Sequence, residues 1–94
     1  MGELREEPVV SGREYSVDEV RGRPAAELED FEGETSFHAS HGPHEHDVVG
    51  FGRVEDDKAL VHEKQGPDGG GRDVRVWQVT PTAQGFAAEH IPKG

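Results

Sequence analysis

The sequence contains no cysteine, one methionine, one isoleucine and only three lysines among its 94 residues. The absence of cysteine excludes disulfides, thiolate nucleophiles and the common structural zinc sites, which nearly always include thiolate ligands. No apolar stretch approaches the ~20 residues that cross a bilayer, so we expect a soluble cytoplasmic protein that makes no membrane contact. The length indicates a single domain over residues 1–94, with a charged and frayed leader at residues 1–7.

Large apolar side chains are scarce and the charge is high. Valine, leucine, isoleucine and phenylalanine make up about a fifth of the chain, near the level at which high net charge begins to indicate disorder. The net charge is −10, from 20 acidic and 10 basic side chains. This balance is typical of halophile adaptation, because molar salt shortens the Debye length to about 3 Å and screens self-repulsion. A GC-rich actinobacterial source and an acidic virus protein are the alternatives.

The patterning predicts an α+β fold. A capping box that begins at Ser16 predicts a short helical N-terminal region at about residues 16–32. Alternating apolar residues predict a three-stranded antiparallel meander at about residues 47–80. Thr80–Pro81 then has the residues of a helix start, which predicts a C-terminal helix at about residues 81–90. Residues 8–11 suggest a further short strand, and residues 66–71 a flexible glycine-rich loop.

Details within the meander follow from the same patterns. Gly50 and Gly52 lie inside a strand, which predicts a bulge or the close approach of another backbone. Asp56–Asp57 predicts a two-residue turn. Strand alternation then places Leu60 and His62 on one face of a strand and Ala59 and Val61 on its other face. In the next strand it places Val74 and Val76 on one face and Trp77 and Val79 on the other.

Four of the six histidines fall within nine residues: His38, His41, His44 and His46. Imidazole titrates near neutral pH and binds first-row metals, so this cluster predicts a site for a divalent metal such as zinc or nickel. No established zinc spacing is matched. A pH-sensitive loop and a solvated loop without a ligand are the other interpretations.

Residues 75–87, Arg-Val-Trp-Gln-Val-Thr-Pro-Thr-Ala-Gln-Gly-Phe-Ala, resemble the wing strand and following helix of winged-helix transcription regulators. The resemblance implies a DNA-binding regulator with a helix across residues 33–46. It covers these 13 residues, and no family residue can be carried over. Residues 33–64 are typical of loop and strands, and the helix that would contact DNA lacks a run of Arg or Lys.

No catalytic constellation is assembled in the sequence, since acidic pairs are frequent throughout and no serine nucleophile motif is present. We therefore expect a small acidic, non-enzymatic interaction module without a cofactor. Phe37, Phe51 and Trp77 are the candidate contact residues, because large aromatic side chains anchor interfaces. The expected partner is another protein or a second copy of the chain. Nucleic acid is disfavoured by the charge but stays open, and metal binding and DNA regulation are the alternative functions.

Overall fold

The computed structural model describes residues 13–65 and 73–91. These residues form seven strands: β1 (Glu14–Val20), β2 (Arg23–Pro24), β3 (Gly33–His41), β4 (His44–Glu55), β5 (Lys58–Lys64), β6 (Asp73–Thr82) and β7 (Gly85–Ile91). A single turn of 3-10 helix, Leu28–Phe31, lies between β2 and β3. The predicted leader at 1–7, strand at 8–11 and loop at 66–71 fall outside the described residues.

Six of the strands close into an antiparallel barrel. The order around the barrel is β1-β3-β4-β5-β6-β7, and β7 pairs back onto β1 from Glu14↔Glu89 to Val17↔Phe86. The two-residue β2 pairs only with the end of β1. Closure gives each of the six strands two neighbours, which removes the open sheet edges that promote aggregation.

Alternate side chains of each strand point into the barrel and form one core. Trp77 and Phe31 are the largest fully buried side chains. The Trp77 ring meets Tyr15 and Phe37 edge to face, with centroids 5.5 and 6.1 Å apart. Phe31 packs in the same way on Phe37 and Phe86. Edge-to-face aromatic pairs stabilise a core beyond the area they bury, which helps a chain with so few aliphatic side chains.

The two ends of the barrel differ. At one end the 3-10 helix lies across the opening and inserts Phe31, which is fully buried. At the other end lie the β3–β4 turn at residues 42–43, the last residue of β5 and the first residue of β6. We call this second end the polar end, because its inward-facing side chains are His46, Glu63 and Arg75.

The predicted α+β fold is wrong. Strands account for 75% of the described residues, and no α-helix occurs among them. The segment predicted as a C-terminal helix is strand β7, in which Phe86, Ala88 and His90 alternate inward and pair with β6 and β1. Pro81 lies near the end of β6, where it starts no helix. Backbone pairing with β6 in a hairpin and with the distant β1 overrides the local helix signals there.

The predicted helical N-terminal region at 16–32 is also wrong for most of its length. Ser16 lies in β1, whose Tyr15, Val17 and Val20 are buried, and only Leu28–Phe31 is helical. The predicted meander at 47–80 corresponds to β4, β5 and β6, which are half of a closed barrel and are covered by its other strands and not by a C-terminal helix.

The winged-helix resemblance fails on the same ground. Residues 33–46, where a regulator requires a helix, are occupied by β3, a turn and the start of β4. Among residues 13–65 and 73–91, no helix is long and apolar enough to span a membrane.

Candidate functional site

A buried carboxylate organises the polar end of the barrel. Glu63 projects inward from β5 and its side chain is 9% exposed. Its Oε1 accepts hydrogen bonds from Trp77 Nε1 at 2.9 Å and from Arg75 Nη1 at 3.2 Å. The His46 Nε2 atom lies 3.1 Å from Oε2. A buried charge needs this number of donors, because an unpaired carboxylate in a core is strongly destabilising.

The electrostatic balance keeps Glu63 ionised. Burial by itself raises the pKa of the Glu63 carboxyl, but hydrogen bonds from His46 and Trp77, with the positive charge of Arg75, outweigh burial. The pKa of Glu63 therefore lies below its ordinary value of 4.5. A carboxylate held in this way is a hydrogen-bond acceptor near neutral pH and a poor general base.

The position of His46 fixes its tautomer. Because Nε2 lies against a carboxylate, it carries a hydrogen and donates to Glu63. Arg75 Nη1 lies 3.5 Å from His46 Nε2. This contact joins two donors that both bind the Glu63 carboxylate. The His46 ring also stacks on Trp77, with centroids 5.8 Å apart and an interplanar angle of 28°.

His90 adds a second imidazole beside this network. Its ring centroid is 5.9 Å from that of Trp77. Burial lowers the pKa of His90, and the nearby charge of Arg75 lowers it further, while Glu63 opposes them. His90 is therefore neutral over more of the pH range than an exposed histidine.

Strand alternation separates His38 from the other three histidines of the cluster. His38 pairs with Asp47 on the outer face of the β3–β4 hairpin, whereas His46 pairs with Ala39 and turns inward. His38 Nδ1 lies 2.6 Å from Asp47 Oδ1, and this hydrogen bond raises the pKa of His38.

The other two histidines lie beside the turn. His41 and His44 face each other as the last pair of the β3–β4 ladder. His41 donates from Nδ1 to the carbonyl oxygen of Glu14.

Within the described parts of the chain, no three His, Asp or Glu side chains are grouped as metal ligands. Zinc or nickel binding by His38, His41, His44 and His46 therefore stays a prediction. A zinc titration of a variant that lacks both His44 and His46 tests it.

The predicted contact residues separate into two groups. Phe37 and Trp77 are 4% and 0% exposed, so the expectation that they anchor an interface is corrected: both are core residues. Phe51 is 54% exposed on the outer face of β4. Val49, on the same strand, is 37% exposed, and Val74, on β6, is 40% exposed. We call Val49, Phe51 and Val74 the apolar outer face.

A groove of about 640 Å³ runs beside Phe51 and is bordered by Gly52, Arg53 and Lys64. Two glycines of β4, Gly50 and Gly52, lie close to neighbouring backbone. A Cβ atom on Gly52 would lie 1.8 Å from the carbonyl oxygen of Phe31, and one on Gly50 would lie 2.1 Å from that of His62. The predicted close approach of another backbone is confirmed at both glycines.

Glu63 and Arg75 were missed by the sequence reasoning, although a signal for both was present. Glu63 continues the inward alternation of Ala59 and Val61, and Arg75 precedes Trp77 by two residues on the buried face of β6. A charged residue at an inward position of two neighbouring strands indicates a buried ion pair. The sequence cannot show that these two strands are adjacent to His46.

No protein-family model matches the chain, and no curated protein or solved structure is significantly similar to it.

Proposed function

We propose that the protein is a small non-enzymatic interaction module whose contact surface is the apolar outer face. The observation that carries the proposal is the 54% exposure of Phe51, with Val49 on the same strand and Val74 on β6 also exposed. These three are the exposed large apolar side chains among the described residues. In a chain with so few large apolar residues, leaving three of them in water favours a surface that a partner covers.

The charges around this face support a protein partner. The grooves beside Phe51 are bordered by three basic and three acidic side chains: Arg21, Arg53, Lys64, Glu32, Glu34 and Asp73. The surroundings of Phe51 are thus nearly neutral in a chain of net charge −10. A neutral apolar face is suited to another protein or a second copy, and it offers no basic surface for nucleic acid.

The acidity of the remaining surface fits a cytoplasmic protein of a salt-accumulating cell. Molar salt reduces the Debye length to about 3 Å, so that two strongly acidic surfaces can approach each other. Salt also strengthens apolar burial, and contact through Phe51 should therefore tighten as salt rises.

The non-enzymatic part of the proposal is supported by the polar end. Glu63 is engaged by three donors and its pKa is lowered, so it is poorly suited to accept a proton from a substrate.

A photo-crosslinking amino acid at position 51 tests the proposal. The matched control is position 18 on β1, where Asp18 is also exposed. Strand β1 lies across the barrel from β5 and is not a neighbour of β4, which contains position 51. In cells of the source organism at native salt, we expect a discrete crosslinked product from position 51 and none from position 18. A product at twice the mass of the chain identifies a second copy as the partner, and another mass identifies a different protein. Equal or absent crosslinking at the two positions contradicts the proposal.

A further inference from the structure

Within residues 13–65 and 73–91, β5 pairs with only part of β4. The last pair between β4 and β5 is Gly50↔Glu63, and a register shift separates Glu63 from the final β5–β6 pair, Lys64↔Asp73. Strand β4 continues past this point toward the polar end. A cavity of about 370 Å³ lies there between β4 and β6, and its lining includes Glu63 and Arg75.

Arg75 offers hydrogen-bond donors to this cavity. Its Nη1 faces Glu63 and His46, while its Nε and Nη2 have no acceptor among residues 13–65 and 73–91. The side chain is 31% exposed, and Glu63 binds the guanidinium at Nη1. A partly exposed guanidinium whose Nη1 is bound to a carboxylate can bind a planar anion through its remaining N–H groups.

The acidic side chains around the cavity are already paired. Asp47 is bound by His38, and Asp73 is bound by Lys64 and lies 3.5 Å from His62. Pairing of these carboxylates reduces the repulsion that an entering anion meets. Val49 and Val74 provide apolar lining beside the guanidinium.

We propose that this cavity binds a small organic carboxylate with a short apolar tail, whose carboxylate pairs with Arg75 and whose tail lies against Val49 and Val74. The volume falls at the lower end of the range for small-molecule sites. The proposal does not depend on Phe51 or on a protein partner, because its polar contacts lie at the polar end, but the ligand tail and a partner would compete for Val49 and Val74.

Titration with butyrate, followed by two-dimensional NMR, tests the proposal. Trp77 is the single tryptophan, and its indole N–H donates to the same Glu63 oxygen as Arg75, so its cross-peak reports on the network. Butyrate replaces chloride at constant ionic strength, and butyramide is the uncharged control. We expect saturable movement of the Trp77 peak by butyrate, with a Kd on the order of millimolar, and only weak linear drift with butyramide.

Two variants at the site give opposite expectations. Arg75→Lys keeps the charge beside Glu63 but loses the planar fork, and it should weaken butyrate binding about tenfold or more. Glu63→Gln removes the carboxylate that competes for Arg75 while keeping an acceptor for Trp77, and it should tighten binding. Arg23→Lys is the matched control, because Arg23 is exposed in β2 and borders neither this cavity nor the groove beside Phe51, and it should leave binding unchanged.

Linear shifts with butyrate, equal binding of butyramide, or undiminished binding in a folded Arg75→Lys variant would overturn the proposal. If Arg75→Lys does not fold, the Glu63→Gln variant and the butyramide titration decide. Tighter binding in Glu63→Gln together with no saturation by butyramide supports the proposal, and any other combination overturns it.

Discussion

Replacing Arg75 with methionine is expected to destabilise the protein near neutral pH by about 2 kcal/mol. Breaking a fully buried ion pair from one side costs about 3–5 kcal/mol, because the remaining charge stays buried without compensation. Two features reduce this value here: the Arg75 side chain is 31% exposed, and Glu63 keeps its hydrogen bonds with Trp77 and His46. In a domain of this size the change corresponds to a fall in Tm of about 8–16 °C.

The pH dependence of this loss identifies its cause. Glu63 has a folded-state pKa below its ordinary 4.5, so its ionised form contributes stability above that pH, and the contribution is lost as pH falls through the folded-state pKa. Without Arg75 the folded-state pKa of Glu63 rises, and the stability that ionised Glu63 contributes decreases. The destabilisation by Arg75→Met should therefore be largest near pH 7 and decrease toward pH 4, where the carboxyl becomes protonated.

Urea unfolding of a double-mutant cycle measures the effect. Glu63→Gln alone should cost about 1 kcal/mol, since the amide oxygen still accepts from Trp77. In the double variant the loss should be smaller than the sum of the single losses by about 1–2 kcal/mol. Arg53→Met, which removes an exposed arginine 3.7 Å from Glu55, should cost less than about 0.5 kcal/mol. Additive losses, or a loss that does not vary with pH, would refute the assignment of Arg75 as the partner of Glu63.

Two further predictions concern the end of the barrel that the 3-10 helix covers and the β3–β4 hairpin that contains His38. Gly52→Ala should destabilise the fold by more than about 3 kcal/mol in urea unfolding, because its Cβ would lie 1.8 Å from the carbonyl oxygen of Phe31. Gly42→Ala, at φ 60° with open space around it, should cost only about 1 kcal/mol, and equal losses would contradict the clash. NMR titration should place the pKa of His38 above 6.5, and Asp47→Asn should lower it. The stability that this pair contributes is present below pH 6.5 and is lost as pH rises through the folded-state pKa of His38, so an unchanged pKa in the variant would contradict the pairing.

Strand faces were predictable in the second half of the chain, where alternation is regular. Ala59 and Val61 are buried and His62 is exposed, while Trp77 is buried and Val74 is exposed, as the alternating pattern predicts. The Asp56–Asp57 turn was also predictable, and Asp56 adopts the positive φ of 47° that such a turn requires. The strand faces and the turn depend on residues that are close together in the chain, so they can be predicted from the sequence.

The closure of the barrel was not predictable, because its cause is not local. Ala87 and the Thr80–Pro81 pair give residues 81–90 a helical pattern, which conceals the alternation of Phe86, Ala88 and His90. That segment becomes a strand because β6 and β1 supply backbone partners on both sides. One of those partners lies about 70 residues away in the chain, beyond the reach of any periodicity argument.

The composition of the barrel interior carries an argument about function. In four successive strands the inward-facing apolar residue nearest the polar end is followed by a polar one: Val48 by His46, Val61 by Glu63, Trp77 by Arg75 and Ala88 by His90. Well-packed apolar residues at these positions are often as stabilising as a buried ion pair or more so. A chain with so few large apolar residues has little stability to lose. Folding alone therefore does not account for Arg75 at this end, and the carboxylate ligand that we propose would account for it.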